Sequence, residues 1–412
     1  MNMLMERSSR RHRILVMIGT RPEAIKLAPV VLELRREPSV NLTTCLSGQH
    51  PEMARDALLT FGIKPDVVLT LDAGTTTAAG RFADLHRAIS ALLDRMPQDR
   101  IVVQGDTSTA LAGAMAAFHA GVPVAHVEAG LRTGNLAGPW PEEGYRRMIA
   151  PIADLHFAPT EWARQNLLAE GIAPERVHLT GNTVVDALIA IRAAITRSAD
   201  TSLRLDSWQK GLSDGKPMVL VTLHRRESHG SVMTGVAMAL RDLAEEFRDH
   251  AFVLPVHPNP AVSGSIRTVL ADQPNVRLLD PLGYEDFVYL MSMAALIITD
   301  SGGVQEEAPT FGVPILVVRN ESERAEAISA GFAQLTGTDP DRIIKAGRAI
   351  LAQGGKADLR GKANPFGDGT AAKRITRLLL ARRDVMALVG TMGEPVVASS
   401  PDHSVIQTRF VQ

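Results

Sequence analysis

Ile14-Leu-Val-Met-Ile-Gly-Thr-Arg-Pro-Glu-Ala-Ile-Lys26 passes from five apolar residues through a glycine turn into a segment of helical period. An apolar run of that length, bounded by a turn, reads as a strand buried on both faces. Pro22 suits the first turn of the helix that follows. The same strand–turn–helix unit recurs along the chain. Candidate strands cover residues 14–18, 42–46, 101–103, 122–127, 155–158 and 177–180, most of them followed by helical segments such as 24–34 and 110–119. This alternation is the signature of a parallel sheet covered by helices on both faces. Residues 202–216 are largely polar and contain the turn cluster Lys210-Gly-Leu-Ser-Asp-Gly-Lys216. A second set of strands then covers 218–223, 252–256, 276–279, 296–299 and 315–318. The predicted fold class is α/β, with two Rossmann-like doubly wound domains facing a cleft. The break falls near residues 181–186, giving a first domain at 1–182 and a second at 183–369. A helix at about 370–384 is expected to pack back on the first domain, and residues 385–412 form a tail without sustained period. Doubly wound sheets bind ligands outside the carboxyl ends of their strands, so the cleft is the expected site.

At 412 residues the chain is long enough for two full cores. Its formal net charge of −1 argues against nucleic acid or an acidic membrane as partner. Cys45 is the single cysteine and lies in an apolar run, so a buried structural thiol is expected. The first 13 residues are basic and polar, without the apolar core of a secretory signal. The apolar run that follows is far too short to span a membrane. A cytoplasmic enzyme is the expectation.

The strand ends carry the chemistry. Residues 126–134, His-Val-Glu-Ala-Gly-Leu-Arg-Thr-Gly, and residues 140–143, Trp-Pro-Glu-Glu, bring Glu128, Glu142 and Glu143 close in sequence. An earlier strand ends in Gln104-Gly-Asp-Thr107. Carboxylates converging on one cleft shift each other's proton affinity, which is how general acids and bases arise. Glu142 and Glu143 also fit a second reading, as charges on a first helical turn behind Pro141. After the first strand, Gly19 allows a tight turn, and Arg21 and Lys26 offer cations to a diphosphate or acidic sugar. His224 and His257 end two strands of the second domain, the latter in a loop stiffened by Pro258 and Pro260. In Thr299-Asp-Ser-Gly-Gly-Val-Gln-Glu-Glu-Ala-Pro309, the Ser301, Gly302 and Gly303 amides can cradle phosphate, and Glu307 is placed to hold ribose hydroxyls. Glu323-Arg324 adds a cation nearby. The turn is neither a Walker loop nor G-x-G-x-x-G. The 12 histidines and one cysteine show no metal-ligand spacing, so no metal is expected.

These blocks together resemble the bacterial non-hydrolysing UDP-N-acetylglucosamine 2-epimerases. The resemblance rests on G-T-R-P-E-A-I-K, Q-G-D-T, H-V-E-A-G-L-R-T-G, W-P-E-E, G-N-T-V-V-D-A-L, H-R-R-E-S, P-V-H-x-N-P, D-S-G-G-x-Q-E-E-A-P and N-P-F-G-D-G, in this order over residues 13–380. It implies a GT-B-like pair of domains and a homodimer. It also implies interconversion of UDP-N-acetylglucosamine and UDP-N-acetylmannosamine without a cofactor. By position, Asp106, Glu128, Glu142 and His224 match the family's catalytic residues. Arg21, Lys26, Phe287, Ser301, Gly303, Glu307 and Arg324 match its substrate- and UDP-binding positions. Gln49, His50, Arg225 and His257 match a second, allosteric nucleotide-sugar site.

Some positions depart from the family pattern. Ala325 stands where the T-E-R-P-E segment has proline, and Leu282 where some members have glutamine. Pro51 replaces the arginine of Q-H-R-E-M, and Thr75–Thr77 replace the usual Gln-x-Leu. Weakened substrate activation is the expectation, and the changes also suit a modified sugar, such as a 2,3-diacetamido uronic acid nucleotide. A GT-B glycosyltransferase is a further reading, although a retaining transferase needs no base at C2. A catalytically dead nucleotide-sugar sensor is a third, although such proteins tend to lose the acid/base set kept here.

Overall fold

The computed structural model describes residues 11–72, 77–223, 231–256, 260–353, 359 and 361–392. The first half of the chain alternates β1 (His12–Ile18), α1 (Arg21–Arg35), β2 (Val40–Leu46), α2 (Pro51–Thr60), β3 (Val67–Val68), α3 (Ala78–Arg95) and β4 (Arg100–Gln104). It continues through α4 (Ser108–His119), β5 (Val124–Val127), α5 (Glu142–Ile152), β6 (Leu155–Ala158), α6 (Glu161–Ala169) and β7 (Val177–Leu179). The helices α7 (Thr183–Arg197) and α8 (Ala199–Ser213) lead to the second half. There follow β8 (Met218–Thr222), α9 (Ser231–Glu246), β9 (Ala251–Pro255), α10 (Pro260–Leu270), β10 (Val276–Leu279) and α11 (Tyr284–Met293). The last elements are β11 (Ala294–Thr299), α12 (Gly302–Glu307), β12 (Ile315–Val317), α13 (Ala325–Ser329), β13 (Ala333–Leu335), α14 (Pro340–Leu351) and α15 (Ala371–Met392).

Among the described residues the strands form two parallel sheets, ordered β3-β2-β1-β4-β5-β6-β7 and β10-β9-β8-β11-β12-β13. Both are doubly wound, as the sequence pattern predicts. Residues Ile14 to Ile18 of β1 are wholly buried, because helices cover both faces of the sheet. Thr20 caps α1 by accepting from the Glu23 amide, and Pro22 sits in its first turn. Gly19 lies so close to α4 that a Cβ there would meet Thr109 Oγ1 at 2.0 Å. Only glycine allows the first turn to approach that helix.

One hydrophobic core runs from Ile14 and Val16 through α7 to Met218 and Leu220 of the second sheet, and on to Ile375 and Leu379. α7 packs against α1 on one side and α11 on the other, and α15 returns to α1. The chain crosses itself where Asn182 N–H donates to the Phe366 carbonyl at 2.7 Å. Asp186 accepts from the Ala371 and Ala372 amides at the start of α15. Cys45 is buried, and burial pushes its thiol up to about 12.

Two expectations are corrected. The polar stretch 202–216 is helical as far as Ser213, because Leu205, Trp208 and Leu212 share one face that packs on the core. The turn begins only at Asp214, in the left-handed region (φ 49°). The backbone of α15 stays helical to Met392, beyond the point where the period fades. β3 and β13 are two and three residues long and pair at sheet edges. Strands that short carry no readable alternation.

Candidate active site

In each sheet the order of strands reverses at one point, between β1 and β4 and between β8 and β11. The turns there open a crevice at the carboxyl ends. In the first sheet these turns carry Gly19–Arg21 and Gln104–Thr107. In the second they carry Leu223 and Ser301–Glu307. The candidate residues therefore gather where the topology leaves room for a ligand.

Lys26 of α1 sits at the centre. Its Nζ is 2.5 Å from Glu128 Oε1 and 3.0 Å from Glu306 Oε2. Glu306 also accepts from Asn182 Nδ2 at 3.1 Å and from Arg324 Nε at 2.9 Å. Glu128 accepts from Gln104 Nε2 as well. It is buried and held at φ 63°. A non-glycine residue pays about 1–3 kcal/mol for such a conformation, which persists only where the surroundings impose it. Burial raises the pKa of Glu128 against the pull of Lys26. Burial likewise opposes charge on Glu306, but Lys26 and Arg324 together hold it below the ordinary carboxylate range. Burial disfavours the Lys26 ammonium too, yet Glu128 and Glu306 keep it charged well above its usual range.

Asp106, at the end of the β4 turn, pairs with Arg146 of α5 at 2.6 Å. Asp106, Glu128, Lys26, Arg146 and Arg324 line a 180 Å³ cavity. Asp106 also lines an adjoining cavity of 1040 Å³, together with Glu142, Trp140, Gln49 and His50. The structure separates the two neighbouring glutamates. Glu143 is fully buried and accepts from the Thr133 and Gly134 amides at 3.0 and 3.3 Å, so it fixes the loop before α5. Glu142 is partly exposed and lines the large cavity. Behind them Glu23 accepts from Gly19 N, Thr20 Oγ1 and Thr107 Oγ1, joining the two turns of the first sheet. Burial pushes Glu23 up to about 7 despite these bonds.

A third cavity of 520 Å³ extends into the second sheet, lined by Arg21, Lys26, Phe287, Ser301, Gly303, Glu307 and Arg324. Arg21 lies over the Tyr284 ring, 5.9 Å from its centroid. Burial, reinforced by the Glu306 carboxylate and opposed by Lys26 and Arg21, pushes Glu307 up to about 8. The Ser301 amide is already taken by Thr299 Oγ1 at 2.9 Å, so it is not free to hold an anion. Arg324 is held by contacts that do not involve a neighbouring proline. Glu306 binds its guanidinium at 2.8 Å, Ser322 Oγ accepts from its amide at 3.1 Å, and Gly302 leaves room for it. Leu282 lines this same cavity.

His224, Arg225 and His257 lie outside the described residues, as do Thr75 and Thr76. Gln49 is tied inward, its Oε1 accepting from Thr109 Oγ1 at 2.8 Å. Arg55 and Arg81 line the large cavity beside it, so that wall keeps cations despite Pro51. Sequence reasoning missed Glu306, Arg146, Gln104 and Tyr284. Glu306 stands next to Glu307 in one motif, but nothing local says which of the two faces Lys26.

Two Rossmann-like sheets facing a cleft, with carboxylates and cations paired across it, define a GT-B-like enzyme. The family described as UDP-N-acetylglucosamine 2-epimerase matches residues 32–380. The UDP-N-acetylglucosamine 2-epimerase of Escherichia coli K12 is 42% identical over 375 residues, covering 90% of this chain and 99% of that one. The crystal structure of the Neisseria meningitidis UDP-GlcNAc 2-epimerase bound to UDP-GlcNAc superposes with a TM-score of 0.84 at 38% identity, covering 90% of this chain and all of that one. The Methanocaldococcus jannaschii enzyme in complex with UDP-GlcNAc and UDP is 30% identical, with a TM-score of 0.76 and coverage of 90% and 99%. The chain belongs to the UDP-N-acetylglucosamine 2-epimerase family.

Proposed function

We propose that this enzyme interconverts UDP-N-acetylglucosamine and UDP-N-acetylmannosamine by inverting C2, through elimination of UDP and its re-addition. The observation that carries this reading is the 180 Å³ cavity in which Asp106 and Glu128 meet Lys26, Arg146 and Arg324. The C2–H is a poor acid, and departure of UDP makes its removal feasible. A carboxylate takes the proton as the bond from C1 to the diphosphate oxygen breaks. The C–H electron pair becomes the C1–C2 double bond of 2-acetamidoglucal, and UDP leaves with the electrons of the broken C–O bond. UDP then adds back to C1 while a proton reaches C2 on the other face. Inversion needs proton handling on both faces, and Asp106, Glu128 and Glu142 are the groups assigned to it. Arg21, Lys26 and Arg324 stabilise the departing diphosphate, with Gly302 and Gly303 alongside. Phe287 and Glu307 hold the uridine side in the 520 Å³ cavity. His224 joins the catalytic set by its match to the family motif.

The chain acts as a homodimer in this reading and divides into its two halves near Asn182, where the backbone crosses Phe366. The test of the activity is proton NMR on the purified protein with UDP-N-acetylglucosamine in heavy water. The UDP-N-acetylmannosamine signals should appear, with deuterium at C2 of both sugars. Turnover without deuterium at C2 would overturn the elimination route, and absence of turnover with this substrate would shift the reading to a modified sugar.

A further inference from the structure

His86 on α3 and His119 at the end of α4 are separated in sequence, so no ligand spacing reveals them. The structure brings His86 Nε2 to 3.1 Å from His119 Nδ1. The rings stand nearly perpendicular, with centroids 5.2 Å apart. The Phe82 ring stacks beside His86, with centroids 6.4 Å apart, and the Phe118 ring neighbours His119 at 6.1 Å. α3 and α4 are packed against each other along their lengths, so their spacing is set by the fold. His119 is exposed and His86 half-buried, leaving the pair open to solvent. Neither residue lines a cavity of the candidate active site.

We propose that His86 and His119 form a surface site for a borderline divalent transition metal of the Zn²⁺, Ni²⁺ or Cu²⁺ class. The separation of the two nitrogens carries the argument. Metal–imidazole bonds of about 2.0–2.1 Å place neighbouring ligand nitrogens roughly 3.0–3.4 Å apart in octahedral or tetrahedral geometry. The observed 3.1 Å lies in that range. In the hydrogen-bonded pair one ring nitrogen donates a proton to the other. A metal bonded to both nitrogens sits to one side of the line between them; as the rings turn towards it, it receives a lone pair from each and the shared proton is released to solvent. Imidazole selects this class of ion over Mg²⁺ and Ca²⁺, which prefer oxygen ligands. Two protein ligands, completed by water, make an exchangeable site rather than a structural one. Occupancy clamps α3 to α4. The start of α3 and the Thr107–Ser108 entry to α4 both line the 1040 Å³ cavity, so the clamp stiffens that wall.

The experiment uses the full-length, untagged protein, stripped of metal, near neutral pH. Isothermal titration with ZnCl₂ and NiCl₂, and thermal unfolding with and without each ion, compare wild type with His86→Ala and His119→Ala. The expected result is one bound equivalent in wild type that each variant loses or weakens by about tenfold or more. The metal-induced rise in Tm should disappear with it. Electron paramagnetic resonance with one equivalent of Cu²⁺ should show two coordinated imidazole nitrogens, and fewer in either variant. Equal affinity and stoichiometry in all three proteins would overturn the site. So would a Cu²⁺ spectrum unchanged by both substitutions, with circular dichroism of each variant matching wild type.

Discussion

Glu306 of the second sheet holds Lys26 of the first at 3.0 Å, and the same carboxylate holds Arg324 at 2.8 Å. With Glu128 also on Lys26 and Glu323 on Arg324 at 3.3 Å, each of the two cations is shared between two carboxylates. In the proposed reaction an incoming diphosphate competes with Glu306 for cations that the sequence alone presents as free.

Glu306→Gln tests this competition. Breaking a buried ionic network costs about 3–5 kcal/mol, so the variant should melt lower than wild type without ligand. Lys26 keeps Glu128 and Arg324 keeps Glu323, but the network loses one negative charge, so UDP should raise Tm more in the variant than in wild type. Turnover should fall, because the two cations lose the carboxylate that orients them. A smaller UDP-induced shift in the variant would mean that Glu306 supports diphosphate binding instead of competing with it.

Asp106→Asn and Glu142→Gln should each lower kcat by about two orders of magnitude or more, with the fold intact. Glu143→Gln should behave differently. It weakens the bonds from the Thr133 and Gly134 amides and costs about 1–3 kcal/mol of stability. Circular dichroism and steady-state rates on the three variants separate the roles. Near-normal turnover of Asp106→Asn or Glu142→Gln would remove that residue from the mechanism.

Burial raises Glu23 from 4.5 to about 7 in the folded chain. Between these values the unfolded chain has released a proton that the folded chain keeps. Stability therefore falls as pH rises through this window, by up to about 3 kcal/mol from this group. Glu23→Gln should flatten that part of the profile. Urea unfolding of both proteins at a series of pH values measures it, and parallel profiles would show that Glu23 does not titrate there.

Epimerisation started from UDP-N-acetylmannosamine alone should proceed without a lag. Pro51 removes one cation beside Gln49, and the Gln49 carbonyl is already engaged by Thr109. Losing a charge-assisted contact costs roughly 1.5–3 kcal/mol, comparable to a typical allosteric coupling of about 1–3 kcal/mol. A strict requirement for added UDP-N-acetylglucosamine would show that the second site survives these substitutions.

The sequence by itself determined the two parallel sheets and the turns that bear the site. A strand covered on both faces must be apolar throughout, and a strand-to-helix turn near a ligand needs glycine, proline and a capping hydroxyl. Both demands are local and therefore legible, as β1 and the Gly19–Pro22 turn illustrate. The length of α8 escaped that reading because its apolar face, Leu205, Trp208 and Leu212, is thin among polar residues. Tertiary structure alone decided which charges meet. Lys26 and Glu306 lie 280 residues apart, and His86 and His119 lie 33 apart. Glu142 and Glu143 are adjacent and chemically identical, yet one lines a cavity and the other accepts from backbone amides. Burial and pairing depend on which strand ends and helix faces the fold brings together, and no local period encodes that.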